Sequence, residues 1–260
     1  MSDLHTTGDV IGNSSFHTMN ILILAAGLGT RMRPLTDTMP KALVPVGGKP
    51  LLQLLIEKIK TQCHDPHIVI NIHHFGEQII DFMEAHYNFG LPVSFSDERL
   101  QLLDTGGAIK QALPLFADHS QPVLIHNVDI LSNLDLAQVY KLHQSQPQAL
   151  ATLVVSNRQT SRYLLFNQDN RLCAWTNIST GEVRPQGADI DISARLRYAF
   201  SGIHVVSPRI VNLMHEWPQR FSVIDFYLSV CGSEAINACF MPDLQLTDVG
   251  KYAEYLVMNN

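Results

Sequence analysis

The stretch Ile21-Leu-Ile-Leu-Ala-Ala-Gly-Leu-Gly-Thr-Arg-Met-Arg-Pro34, with Lys41 a little beyond it, decides how this chain is read. Residues 21–26 form a continuous apolar run ended by glycine, the pattern of a strand buried on both faces of a parallel sheet. Gly27 and Gly29 let backbone N–H groups approach a ligand and cradle phosphate oxygens. Arg31, Arg33 and Lys41 gather positive charge beside them in a chain whose net charge is -6. A plain glycine turn with solvated arginines has the same spacing, so the loop alone leaves both readings open. Two common phosphate motifs do not fit. The dinucleotide fingerprint GxGxxG fails at Met32, where its third glycine belongs, and Pro34 interrupts the helix that should follow. The Walker pattern GxxxxGK[ST] is absent.

Outward from this loop, short apolar runs alternate with helical stretches, which predicts an α/β fold with a Rossmann-like, doubly wound, mostly parallel mixed sheet. Strands are expected over 68–71, 92–96 and 123–126, and helices over 51–62, 77–86, 105–113 and 136–144. The character then changes. Residues 150–156, 163–166, 172–175 and 197–206 read as strands with turn signals between them, such as Asn167-Gln-Asp-Asn170, and predict antiparallel additions with a lid-like insertion. Helices over 208–214, 221–230 and 251–257 and a strand over 235–241 complete the pattern.

With 260 residues, 46% hydrophobic and 16% charged, the chain can bury a large core, and a single domain over 19–260 accounts for it. Residues 1–18 are polar and aperiodic, and read as a disordered leader or an added remnant. The negative charge argues against nucleic acid or anionic membrane as a partner, though not against a small phosphate pocket. Cys63, Cys173, Cys231 and Cys239 form no CxxC pair, so neither a zinc site nor a disulfide framework is indicated. No apolar run approaches the roughly 20 residues that cross a bilayer, and no secretory signal pattern is present, so a cytoplasmic location is expected. His73 and His74 are adjacent on an extended segment, point to opposite faces and are poorly placed to share one ion. His64 and His67 flank Pro66 and read as solvated.

Leu24-Ala-Ala-Gly-Leu-Gly-Thr-Arg-Met-Arg-Pro-Leu-Thr36 followed by Pro40-Lys41 resembles LAAGxGTRxxPLTxxxPK, the signature of the sugar-1-phosphate nucleotidyltransferase family. Gly47-Gly-Lys-Pro-Leu51, Asp104-Thr-Gly-Gly-Ala108, Asn127-Val-Asp129, Phe200-Ser-Gly-Ile203 and Thr247-Asp-Val-Gly250 fall in that family's order. The likeness runs over about 19–257 and is greatest to the family's short bacterial uridylyltransferases. It implies a nucleotide-diphospho-sugar transferase fold with a small antiparallel sugar-binding insertion. It also implies joining of a nucleoside triphosphate, UTP first, to a sugar 1-phosphate with release of pyrophosphate, by a monomer or homodimer. The attacking phosphate oxygen is already ionised, so the site needs cations more than a base.

By the resemblance, Arg31 contacts the triphosphate and Lys41 holds phosphates near the reaction centre, while Asp129 and Asp248 coordinate Mg²⁺. These two aspartates lie 119 residues apart, so the fold has to bring them together. Arg33 reads either as a further phosphate contact or as a solvent-facing charge. Backbone groups of Ala25, Ala26, Gly27, Gly29 and Thr30 and of the Gly106-Gly107 turn are expected to hold the nucleotide. Asn71 and Glu98 are candidate side-chain partners for the base, alongside the plainer readings of a strand-end asparagine and a solvated glutamate. Asn157, Ser201 and Gly202 are placed at the sugar phosphate; Trp175 and Asn177 are weaker candidates, since a tryptophan serves equally as core. The chain departs from the family at Val128, where glycine usually precedes the metal-binding aspartate, and at Leu246-Thr247, where the short uridylyltransferases carry tryptophan and a small residue. Side-chain bulk at Val128 could reshape the metal and ribose environment. Two other readings share these motifs: a cytidylyltransferase acting on a phosphorylated alcohol such as phosphocholine, and a non-catalytic module that binds nucleotide sugars.

Overall fold

The computed structural model describes residues 18–186, 191–252 and 255–256. The expected leader up to residue 17 and part of the helix expected over 251–257 lie outside the described residues. Thr18, counted with the leader, donates its hydroxyl to Asp65 Oδ2 at 2.9 Å.

The first half runs β1 (Met19–Leu24), β2 (Pro45–Val46), β3 (Lys49–Pro50), α1 (Leu51–Gln62), β4 (Pro66–Ile72), α2 (Gly76–Ala85), β5 (Val93–Asp97), α3 (Asp104–Ala112), β6 (Val123–Asn127), β7 (Ile130–Ser132) and α4 (Leu136–Gln144). The second half adds β8 (Ala149–Ser156), β9 (Arg162–Phe166), β10 (Leu172–Asn177), β11 (Glu182–Arg184), β12 (Leu196–Val206), α5 (Ile210–Met214), α6 (Val223–Val230), β13 (Ala235–Phe240) and β14 (Leu246–Asp248). Strands β6, β1, β4 and β5 lie side by side in parallel. On the far side of β6 the sheet turns antiparallel through β12, which also pairs with β8 and β9; β10 and β11 extend the β9 edge. Strand β13 lies parallel to β8. The mixed, doubly wound sheet read from the sequence is therefore the observed one.

The apolar run of β1 explains why the sheet is covered twice. Ile21 and Ile23 face a core with Leu55, Ile56 and Ile59 of α1, Ile79 and Met83 of α2, and Leu136 and Val139 of α4. Leu22, on the opposite face, joins Ile109 and Ala112 of α3 and Phe226 and Tyr227 of α6. Alternate side chains of one strand thus feed two cores. The apolar positions of α1, Leu51, Leu52, Leu55, Ile56 and Ile59, form one buried helical face. Asp135 caps α4 by accepting the Gln138 N–H at 3.0 Å, and Ser222 caps α6 through the Ile224 N–H at 3.2 Å.

The short strands β2, β3, β7, β11 and β14 escape the sequence reading. Runs of two or three residues carry no periodicity to detect. Strands β7 and β14 form a ladder of their own, with Asp248 opposite Ile130. His67 is half-buried with its ring edge against Phe116, at 5.6 Å between centroids, and burial lowers its pKa; the solvated reading is corrected. His73 and His74 have different neighbours, the Glu98 carbonyl at 2.7 Å and the Phe75 ring.

Candidate active site

A cavity of about 410 Å³ opens at the carboxyl ends of β1, β4 and β6, the edge where open α/β sheets bind ligands. The loop from Ala25 to Arg31 forms one wall, and Lys41, Asn127 and Asp129 also line it. Gly29 turns the loop with φ of 63°, and a side chain there would meet Thr36 Cγ2 at 2.8 Å. The Thr36 hydroxyl donates to the Gly29 carbonyl at 2.7 Å, which fixes this close approach. Met32, the residue that breaks the dinucleotide fingerprint, is fully buried with Val44, Val46, Leu51 and Val249 and pins the loop from behind. Arg33 is exposed and pairs with Asp37 at 3.2 Å, so it is the solvent-facing charge of its two readings.

Lys41 is buried to 8% exposure, and its ammonium contacts the Asp129 carboxylate directly. Asp129 follows β6, and its carbonyl accepts the Val249 N–H at 2.9 Å. The ladder of β7 with β14 therefore brings the segments bearing Asp129 and Asp248 side by side. Gly250 lines the same cavity. A Cβ on it would lie 2.5 Å from Asp248 Oδ1 and 3.1 Å from Arg31 Nη2, so a carboxylate and a guanidinium converge over bare backbone. The sequence signals Gly250 only by its place two residues after Asp248 in the Thr247–Gly250 motif, which by itself assigns it no role. Among the described residues no three His, Cys, Asp or Glu side chains gather as a metal cage. Val128 is buried at 4% exposure in the main core while also lining the cavity, so its bulk is directed into packing.

The Asn71 amide does not stand open to a base. Its Oδ1 accepts the N–H groups of Ala25 at 2.6 Å and Ala26 at 3.2 Å, and its Nδ2 donates to Glu98 Oε1 at 2.8 Å. Three of the four hydrogen-bonding positions of this amide are thereby occupied by protein. The same bonds take up the Ala25 and Ala26 N–H groups, so a ligand at the loop meets N–H groups from Gly27 onward. Glu98 is 2% exposed rather than solvated; burial pushes its carboxyl pKa up, opposed by hydrogen bonds from Asn71 and the Leu103 N–H.

Gly106 and Gly107 also need correction. Their N–H groups both point to the Phe221 carbonyl, at 2.8 and 3.3 Å, and neither residue lines the cavity. A Cβ on Gly106 would fall 2.3 Å from the Phe221 ring, and one on Gly107 would fall 2.0 Å from the Gln219 carbonyl oxygen. They let α3 pack against the 219–221 segment. Asp104 and Thr105, just before them, face the cavity instead.

Asn157, Ser201 and Gly202 do not line the cavity. Asn157 is exposed beyond β8. The buried Ser201 hydroxyl accepts the Ile203 N–H at 3.2 Å. Gly202, at φ of 77° in the irregular stretch of β12, is the closest to the site: its Cβ would lie 2.5 Å from Asn127 Nδ2. The Trp175 ring is covered by the Arg184 guanidinium at 4.7 Å, and Asn177 accepts the Ser179 N–H in a turn.

Residues 20–257 match the nucleotidyl transferase family. The chain belongs to that family. Over 133 residues the chain is 41% identical to N-acetylmuramate alpha-1-phosphate uridylyltransferase of Neisseria meningitidis serogroup B, a match covering 51% of this chain and 56% of that relative. Over 110 residues it is 43% identical to the enzyme of the same name from Caulobacter vibrioides, covering 42% of this chain and 44% of that relative. The matched part of the chain spans about half the length of these relatives. The nucleotidyl transferase fold is also similar to that of UDP-glucose pyrophosphorylase from Acinetobacter baumanii, with a TM-score of 0.72 over 93% of this chain and 92% of the other at 16% identity.

Proposed function

We propose that this chain transfers a nucleotidyl group from a nucleoside triphosphate to a sugar 1-phosphate, giving a nucleotide sugar and pyrophosphate, with residues 19–260 acting as one domain. One observation carries the reading: the glycine loop, Arg31, Lys41, Asp129 and Gly250 surround a single cavity. UTP is the favoured donor and N-acetylmuramate 1-phosphate the first acceptor to try, because those are the substrates in the names of the relatives above.

The sugar phosphate oxygen attacks the α-phosphorus, the bond from that phosphorus to the bridging oxygen breaks, and pyrophosphate leaves. Arg31 sits where it can neutralise charge on the leaving group, and the ammonium of Lys41 lies low in the cavity, shielded from bulk water. The loop from Gly27 to Thr30 offers its backbone to phosphate oxygens. The donor set suits Mg²⁺: Asp129 and Asp248 are hard oxygen ligands on neighbouring segments, and Gly250 keeps side-chain bulk away from the Asp248 carboxylate. Bound there with water and substrate phosphates, the ion would supply positive charge against the triphosphate. Against the phosphocholine reading, the described residues that line the cavity include no aromatic ring to face a quaternary ammonium.

The test is pyrophosphate release from UTP, GTP, CTP, ATP and dTTP against a panel of sugar 1-phosphates and phosphocholine, with and without Mg²⁺. Turnover of one triphosphate with a sugar 1-phosphate is the expected result. Turnover with phosphocholine alone, or with nothing, overturns the reading.

A further inference from the structure

Glu98 stands just past β5, and its carboxylate is hydrogen-bonded to two different walls of the cavity. One oxygen accepts Asn71 Nδ2 at 2.8 Å, and through Asn71 Oδ1 it is linked to the N–H groups of Ala25 and Ala26. The other oxygen accepts the Leu103 N–H at 2.9 Å, immediately before Asp104 opens α3. The backbone of Glu98 is fixed as well, with its N–H on the Ile72 carbonyl at 2.8 Å and its carbonyl on the His73 ring at 2.7 Å. Both side chains are buried, Asn71 at 3% and Glu98 at 2% exposure, so water competes poorly for these bonds.

The polarity of the chain of bonds is forced. The loop presents two donors, so the group at 71 must turn its oxygen toward them and its NH₂ toward 98. The group at 98 then faces a donor from residue 71 and a second donor from Leu103, and must accept twice. A carboxylate does this; a glutamine amide has one acceptor and places a donor against a donor.

We propose that Glu98 is a positioning residue that sets the phosphate loop and the start of α3 at a fixed separation, and through them the binding of the nucleoside triphosphate. Its substrate rests on the nucleotidyl-transfer reading above. The structural claim concerns the amides of Ala25 and Ala26 and stands on the bonds themselves.

The experiment compares wild type, Glu98→Gln, Asn71→Asp and the double variant. In Glu98→Gln, hydrogen exchange of the peptide covering 24–31 in the ligand-free protein quickens about tenfold, and KM for the triphosphate rises about tenfold, the loss of about one hydrogen bond to a charged acceptor. The KM for the sugar 1-phosphate and kcat stay within about threefold. Asn71→Asp alone sets two carboxylates face to face and is also impaired. The double variant restores complementarity, because the new amide at 98 donates to the new carboxylate at 71 and still accepts from Leu103; exchange and KM return to within about threefold of wild type. Unchanged exchange in Glu98→Gln overturns the proposal. So does a double variant no better than the worse single one, or a loss that moves both KM values together with the melting temperature. If wild type turns over no substrate pair, the functional reading fails and the exchange data still decide the role of Glu98.

Discussion

Two glycine-bearing segments border the cavity, and they use glycine for opposite purposes. At Gly27 an added Cβ would meet nothing within 4 Å, and at Gly29 the left-handed backbone itself requires glycine. Gly27 leaves the loop's backbone open to a ligand, while Gly29 shapes the turn behind it against Thr36. At Gly106 and Gly107 the space is already filled by Phe221 and by the Gln219 carbonyl, and the N–H groups are bonded to protein. Two glycines near a site therefore mark close backbone approach, while what approaches, ligand or neighbouring chain, is decided by the tertiary partner.

The two segments should therefore fail in different ways when they are altered. Loss of charge at the open loop should act on chemistry: Lys41→Ala is expected to lower kcat/KM about 100 to 1,000-fold, read by pyrophosphate release, with circular dichroism unchanged. Near wild-type turnover would remove Lys41 from the reaction centre. At the filled segment the effect should fall on the fold. Gly107→Ala is expected to cost about 3 kcal/mol in urea unfolding, because the obstructing atom is a backbone carbonyl that cannot rotate away. Gly27→Ala should stay within about 0.5 kcal/mol, so equal losses at the two positions would end the distinction.

Acid provides a control that touches both segments through the sheet beneath them. His126 and His204, on the paired strands β6 and β12, are fully buried, and burial lowers their pKa values to about 4 and about 3. His126 Nε2 and both ring nitrogens of His204 have no hydrogen-bond partner among the described residues. The unfolded chain binds these protons near pH 6.5, whereas the folded chain resists them until about pH 4 or below. Stability is thus complete above about pH 6.5 and falls as pH drops toward 4, by at most about 1.4 kcal/mol per pH unit for each histidine. Urea midpoints at pH 7.5 and pH 5 measure this, and His204→Phe should flatten the slope. A slope unaltered in that variant would assign it to other groups.

Much of the architecture is legible in the sequence where one element carries its own signal. Helices α1 and α4 are read at their observed limits, because each has a clear apolar face and a sharp start after Pro50 or Asp135. The continuous run of β1 announces burial on both faces. Strand β14 is not legible, since three residues mean nothing until β7 lies beside them. The site divides in the same way. The loop from Gly27 to Arg31 is contiguous, so its motif shows it. Asn71 and Glu98 are recognisable as polar residues near strand ends, but their direction, toward each other rather than toward a base, depends on contacts 27 residues apart. Ser201 and Gly202 carry only their place in the motif order as a signal, and the irregular stretch of β12 sets Gly202 against Asn127 and leaves both out of the cavity lining.

The ladder of β7 with β14 also sets a schedule for biosynthesis. Asp129 leaves the ribosome 119 residues ahead of Asp248, a delay of roughly 6 to 24 seconds at typical translation rates of about 5 to 20 residues per second. During that interval β1, β4, β5 and β6 are all available to pair, yet the carboxylate pair proposed for the cation cannot exist. A nascent chain can thus build its parallel sheet well before both of those carboxylates are in place.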